Sequence, residues 1–242
     1  MKADMPRKPS GSSATGPCEP DPSPSGHRGP RWLPRSRSAG RLDSAIGDRV
    51  ALKPLPIKAL RPLLRQHLSG EEDADTADVV ASLRQARRRK YLTKSELERI
   101  CRWKSARAMP LIRANSHQRI RAATWAALTT KSERRRLEAL VSLHGVSVPM
   151  ASAILMLLHP RRYGVIDIRV WQLLVVLGTV KGNERGTGFT FAHWYRFLMI
   201  IRYFARSFGV SARDIERTLF LVHREYQAGR LYRTPGKGQQ RR

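Results

Sequence analysis

Apolar positions recur every three or four residues through most of this chain, and no stretch alternates in the way of a half-buried strand. Ile57, Leu60, Leu64 and Leu68 mark a first helical face, which Pro62 is placed to kink or divide. The acidic patch Glu71, Glu72, Asp73 and Asp75 reads as a loop, running into a helix from Asp78 to about Lys90. Thr93 with Glu96 has the spacing of a capping box ahead of Leu97, Ile100 and Cys101. The next helix starts after Asn115 or Ser116 and turns Ile120, Ala123, Thr124, Ala127 and Leu128 inward. Thr130 with Glu133 repeats the capping-box spacing before Leu137, Leu140 and Val141.

Gly145 is suited to end that helix, and Pro149 to occupy the first turn of another, where its missing N–H costs little. From Ile168 to Leu177 nearly every face is apolar, as in a buried central helix. A glycine-rich loop over 178–188 follows. Thr190 caps a long helix with Phe191, Trp194, Leu198, Ile201, Ala205 and Phe208 on one stripe, Gly209 stops it, and Ser211 opens the last helix. The expectation is an all-α domain over 45–229. The ends differ: 1–44 is rich in Pro, Gly, Ser and Arg and reads as a disordered basic arm, and 230–242 as a shorter basic tail.

Charge narrows the partners. The chain carries +27 at neutral pH, of which only +4 falls within 1–44, so the excess belongs to the domain. Such a surface repels itself unless a polyanion neutralises it, which favours a nucleic acid over a solvated-ridge explanation. Cys18 and Cys101 are too few for a disulfide framework or a four-cysteine metal site. No segment has the roughly 18 apolar residues of a membrane span, nor the start a secretory signal. A cytoplasmic, DNA-associated monomer without membrane contact is the expectation.

Candidate chemistry is concentrated between Leu143 and Trp171. A glycine turn between two helices directs backbone N–H groups and a helix N-terminus outward, a form suited to one phosphate, although it also serves as an ordinary packing element. Beyond the second helix, His159-Pro160-Arg161-Arg162-Tyr163 leads through an extended piece to Asp167. An isolated carboxylate there suits a reaction in which positive charge develops, and equally suits a helix N-cap.

Together, the turn, the small residues Ala151 and Ala153, and the spacing to Asp167 resemble the helix-hairpin-helix DNA glycosylase superfamily of endonuclease III, adenine glycosylase and 8-oxoguanine glycosylase, without a gap from Leu143 through Trp171. The resemblance implies a bilobal helical array with a helix-hairpin-helix motif. It further implies that Asp167 stabilises an oxocarbenium-like sugar as a flipped base leaves double-stranded DNA. Leu143, His144, Gly145, Val146 and Ser147 would grip the backbone, with Arg161, Arg162 and Arg169 as further DNA contacts. The carbonyls of Val141, Leu143 and Val146 are candidates for a bound monovalent cation; no other cofactor is required.

Three departures qualify that likeness. Pro149 stands where bifunctional members carry a lysine, which removes lyase chemistry by that amine and leaves a monofunctional glycosylase. Ser147 replaces the usual second glycine of the turn, and Arg169 a frequent histidine. No cysteine quartet follows, so no iron-sulfur cluster is expected. The base pocket is less legible: Trp103, Lys104, Arg107, Trp171, Trp194 and Tyr195 are candidates, although tryptophans at helical spacing are more often core. Arg87 to Lys90 and Arg134 to Arg136 are candidate phosphate contacts. The alternatives to a glycosylase are a non-catalytic protein recognising abasic or distorted DNA, and an RNA-associated basic protein.

Overall fold

The periodic segments do become helices, and capping chemistry explains where each begins. The computed structural model describes residues 52–228 and Leu231, all of which lie within one compact unit. The expected arm over 1–44 and, Leu231 aside, the tail over 230–242 fall outside the described residues. Of the described residues 66% are helical and none is in a strand; the one β-type pairing among them is an isolated bridge between Leu52 and Gln227. The all-α expectation therefore holds.

Eleven helices run in chain order among the described residues: α1 Leu60–His67, α2 Ala74–Ser82, α3 Arg84–Arg89, α4 Lys94–Ser105, α5 Met109–Arg113, α6 His117–Thr129, α7 Glu133–Val141, α8 Val148–Leu158, α9 Ile168–Val176, α10 Phe191–Phe208 and α11 Ala212–Tyr226. A single 3-10 turn, Ala106–Ala108, links α4 to α5.

Four expectations about boundaries are corrected. α7 ends at Val141, with Ser142 as its C-cap, ahead of Gly145 rather than at it. Pro62 does not divide the first helix, because it falls in the opening turn of α1, where the backbone N–H has no intrahelical acceptor to lose. The acidic patch is not wholly loop: Asp73 caps α2 by accepting from Thr76 N at 2.9 Å, and the expected single helix from Asp78 becomes α2 and α3, separated at Leu83. Thr130 does not open α7; Ser132 does, accepting from Arg135 N, which leaves Glu133 free for tertiary contacts. By contrast, the Thr93–Glu96 capping box makes both of its bonds, and Ser116 rather than Asn115 caps α6.

The core is built around α8 and α9. Every side chain of α8 from Met150 to Leu158 is buried, and α9 buries Ile168 and all positions from Val170 to Val175. Each fully buried Leu or Ile contributes roughly 1.5–3 kcal/mol relative to exposure, so this central pair supplies a large part of the driving force. α11 packs on α9, α10 and α1; α4 packs on α5 and α8; α6 and α7 pack together. The segment from Tyr163 to Asp167 crosses between these layers. Among the described residues no helix is long and apolar enough to cross a membrane.

Candidate functional site

Asp167 is held from three directions before its carboxylate emerges. Tyr163 donates its hydroxyl to the Glu133 carboxylate, at 3.0 Å to Oε2, and its ring stacks on Trp194 with centroids 6.4 Å apart. Gly164 lies so close to α11 that a Cβ there would sit 2.6 Å from Glu216 Cβ, so only glycine lets the two backbones approach. Ile166 N donates to Ser152 Oγ at 3.1 Å, while that hydroxyl donates to the Pro149 carbonyl, which ties the segment to the first turns of α8.

Asp167 itself is the N-cap of α9, with Oδ1 accepting from Val170 N at 3.0 Å. Its Oδ2 lies 3.8 Å from Lys104 Nζ at the end of α4; the two side chains are 18% and 20% exposed. The capping role and a solvent-reachable charge are thus both present. Behind the segment stands a second carboxylate, Glu216, 2% exposed, which receives Arg213 Nη1. Burial pushes Glu216 up from the usual carboxyl range and the Asp167 charge adds to that rise, while Arg213 opposes both. Arg213 also makes a two-pronged contact with Glu72, at 2.7 and 3.0 Å, so its charge is shared between two acids.

The turn between α7 and α8 leads into the same first turns of α8 to which Ser152 ties the Asp167 segment. Leu143 and Val146 point into the core, while His144 and Ser147 are exposed. Gly145 adopts φ +79°, and a Cβ there would meet Leu111 Cβ at 2.9 Å, so both conformation and space demand glycine. The turn is braced by Asn115, 2% exposed, whose carboxamide accepts from His144 N and donates to the His144 carbonyl, each at 2.9 Å. Arg119 adds a bond to the Ser142 carbonyl at 2.6 Å and approaches His144 Nε2 at 3.3 Å. Ser147 occupies the N-cap of α8 but makes no side-chain capping bond, and Pro149 lies in the first turn. That leaves the Ser147 hydroxyl free of the helix it precedes. Of the carbonyls suggested for a cation, that of Leu143 accepts from Val146 N at 3.2 Å.

The structure gathers some of the expected residues and separates others. Lys104 meets Asp167. Trp103, half-buried beside it on α4, donates its indole N–H to Thr76 Oγ1 at 3.0 Å. Arg107 is exposed on the turn that follows. Trp171, 1% exposed, packs edge-on against Phe189 and His193 and donates to the Gly182 carbonyl, so its ring is committed to the core. Trp194 is buried likewise, and Tyr195 is exposed on α10. Arg169 points to Gln227 and sits over the Phe220 ring, on the α11 side.

Arg161 and Arg162 are exposed, but Arg162 lies 3.7 Å from Glu133, at the opposite end of α7 from the turn. Glu133 also receives Arg136 and Arg202 at 2.8 and 2.9 Å. Burial would raise its carboxyl, yet these two guanidinium groups outweigh burial and hold it below the usual range. Among the described residues no group of three or more His, Cys, Asp or Glu side chains could hold a metal ion.

Several residues of the site were not singled out by sequence reasoning, Asn115, Ser152 and Glu216 among them. Asn115 had a usable signal: two cap-type residues stood side by side, and once Ser116 capped α6 the neighbouring amide needed another partner. Ser152 had none, because a small residue on an apolar helix face looks like any packing position. Among known proteins, no family, no curated sequence and no solved structure matches this chain.

Proposed function

We propose that the protein is a DNA glycosylase that extrudes a damaged or modified base and hydrolyses its N-glycosidic bond with Asp167, without lyase chemistry from the hairpin helix. The observation that carries this reading is the way Asp167 is presented: a partly exposed carboxylate on a segment pinned to α7, α8 and α11, beside a lysine and the helix whose N-terminus follows the Gly145 turn. A fixed negative charge binds a sugar gaining positive charge more strongly than its neutral ground state, and a charge that need not reorganise is the more effective. α7, the braced turn and α8 act as a helix-hairpin-helix in this reading. The N-terminus of α8 and the exposed Ser147 provide donors for one backbone phosphate.

The competing reading, a binding protein without chemistry, draws on the fact that both Asp167 oxygens already have partners, Val170 N and Lys104. One assay separates the two. Duplexes carrying a panel of lesions and modified bases are incubated with protein, and any abasic sites are cleaved with alkali. Base release by the wild type that is lost in Asp167→Asn supports the glycosylase. Equal yields from both proteins on every substrate overturn it, and salt-sensitive binding without release supports the binding protein.

A further inference from the structure

At the other end of α8 from the turn lies a recess of about 440 Å³, lined by Arg84, Arg87, Arg88, Lys90 and His159. The sequence presents four consecutive basic residues, Arg87 to Lys90, but the fold sorts them. Arg89 leaves the group: its guanidinium meets Glu96 and stacks over Tyr91. Arg84 joins it, because positions 84, 87 and 88 share a face of α3 at helical spacing. Lys90 turns in at the left-handed C-cap of α3, with φ 65°, and His159 arrives as the C-cap of α8.

Nothing within the described chain neutralises this lining. Arg84, Arg87, Arg88 and Lys90 have no carboxylate partner among the described residues. Arg87 is oriented by a bond to the Val80 carbonyl at 3.0 Å. The C-termini of α3 and α8 both end here and help to hold the cations. Their combined dipole amounts at most to about −1, against four full positive charges. The balance stays strongly positive. Burial pushes the His159 imidazole below its usual range, with Lys90, Arg162, Arg87 and Arg136 pushing it further, so histidine remains a neutral wall at ordinary pH.

We propose that this recess is a phosphate-binding site, serving as a second anchor for a nucleic-acid backbone. Guanidinium forks suit phosphate oxygens, and the volume admits more than a single ion. The 11 residues of α8 separate it from the turn by roughly 16 Å, the axial rise of about five base pairs of duplex. As an anchor on DNA it rests on the DNA-acting reading above; as a phosphate site it does not.

The test uses full-length protein and Arg84→Gln/Arg88→Gln, both positions being exposed. Affinity for a lesion-free duplex lacking terminal phosphates is measured against salt. In parallel, the His159 ring signals are titrated by NMR with and without inorganic pyrophosphate. If the recess grips the backbone, the variant's log–log salt slope is shallower by about 1.8, so that between 50 and 200 mM salt the wild type loses about 12-fold more affinity than the variant. Pyrophosphate also raises the pH at which His159 titrates in the wild type, because a bound anion offsets the surrounding cations. An unchanged slope with a pyrophosphate response restricts the site to free phosphates and overturns the backbone anchor; an unchanged slope with no response overturns the site altogether. Base release is scored separately: a changed slope without release on any substrate leaves the recess standing and sinks the glycosylase. A wild type that neither binds duplex nor responds to pyrophosphate removes both.

Discussion

The segment from Tyr163 to Asp167 has two unlike sides. Toward α11 it is sealed: Gly164 permits backbone contact, Glu216 is buried against Arg213, and His223 lies fully enclosed with its Nε2 against Gln172 of α9. Toward α4 and the turn it is open: Asp167 and Lys104 reach solvent, and the turn leans on Leu111, which is itself exposed. Two carboxylates a short distance apart thus have opposite circumstances. Glu216 belongs to a desolvated ionic cluster whose disruption should cost folding energy, whereas the Asp167 carboxylate is 18% exposed and open to solvent. The lesson is that burial and partners, rather than residue type, assign the role.

That contrast can be broken experimentally, most strongly from the sealed side. Arg213→Ala leaves Glu216 and Glu72 without their shared cation and should lower unfolding free energy by about 3–5 kcal/mol in a urea titration. Adding Glu216→Gln should restore part of that loss, because the stranded charge is removed; no recovery would mean that the cluster is not the source of the cost. On the open side, Asp167→Asn should reduce base release by about 10²–10³-fold, read from single-turnover assays. Its stability should change by only a few tenths of a kcal/mol, since asparagine caps helices as well as aspartate does.

His223 sharpens the sealed side through pH. Burial, assisted by the Arg169 charge, pushes its imidazole down to about 4. An unfolded histidine titrates near 6.5, so between these values the unfolded chain binds the proton and the folded one does not. Stability must therefore fall as pH drops from about 6.5 toward 4, by up to roughly 3 kcal/mol. His223→Gln should flatten that part of the urea-midpoint profile. Further loss at lower pH includes Glu133 and Asp73, whose depressed carboxyls favour the fold above their unfolded range and cease to do so as they protonate. A profile that stays as steep in the variant would show that His223 is not buried neutral.

A smaller effect than that of His223 belongs to the turn. Gly145→Ala places a Cβ at positive φ and against Leu111, and should cost about 1–2 kcal/mol by thermal melting. It should weaken duplex binding more than Arg169→Ala does, because Arg169 is engaged with Gln227 and Phe220 on the other side. The reverse order would argue against the turn as the proposed duplex contact.

Much of this arrangement was legible before any coordinates. Capping residues such as Thr93, Ser116, Thr190 and Ser211 announce helix starts because the bonds they make are local, and the apolar run from Ile168 announces a buried helix because no other setting tolerates it. The errors came where several local answers were nearly equal. Ser132, two residues beyond Thr130, carries the same kind of hydroxyl and caps α7 in a setting where Glu133 binds Tyr163, Arg136 and Arg202. The break at Leu83, fully buried between α2 and α3, shows that packing decides where a polar, helix-prone stretch divides.

The sequence alone therefore determined most of the helices and their amphipathic faces, a glycine turn between α7 and α8, and the presence of one aspartate at a helix start. These follow from backbone geometry and side-chain chemistry within a few residues. The pairing of Lys104 with Asp167, the bracing of the turn by Asn115, the burial of Trp171 and the sorting of Arg84, Arg88 and Lys90 around His159 were decided only by the tertiary structure. Each joins residues distant in the chain or selects among equivalent neighbours, and which groups meet depends on how the buried helices pack rather than on local preference.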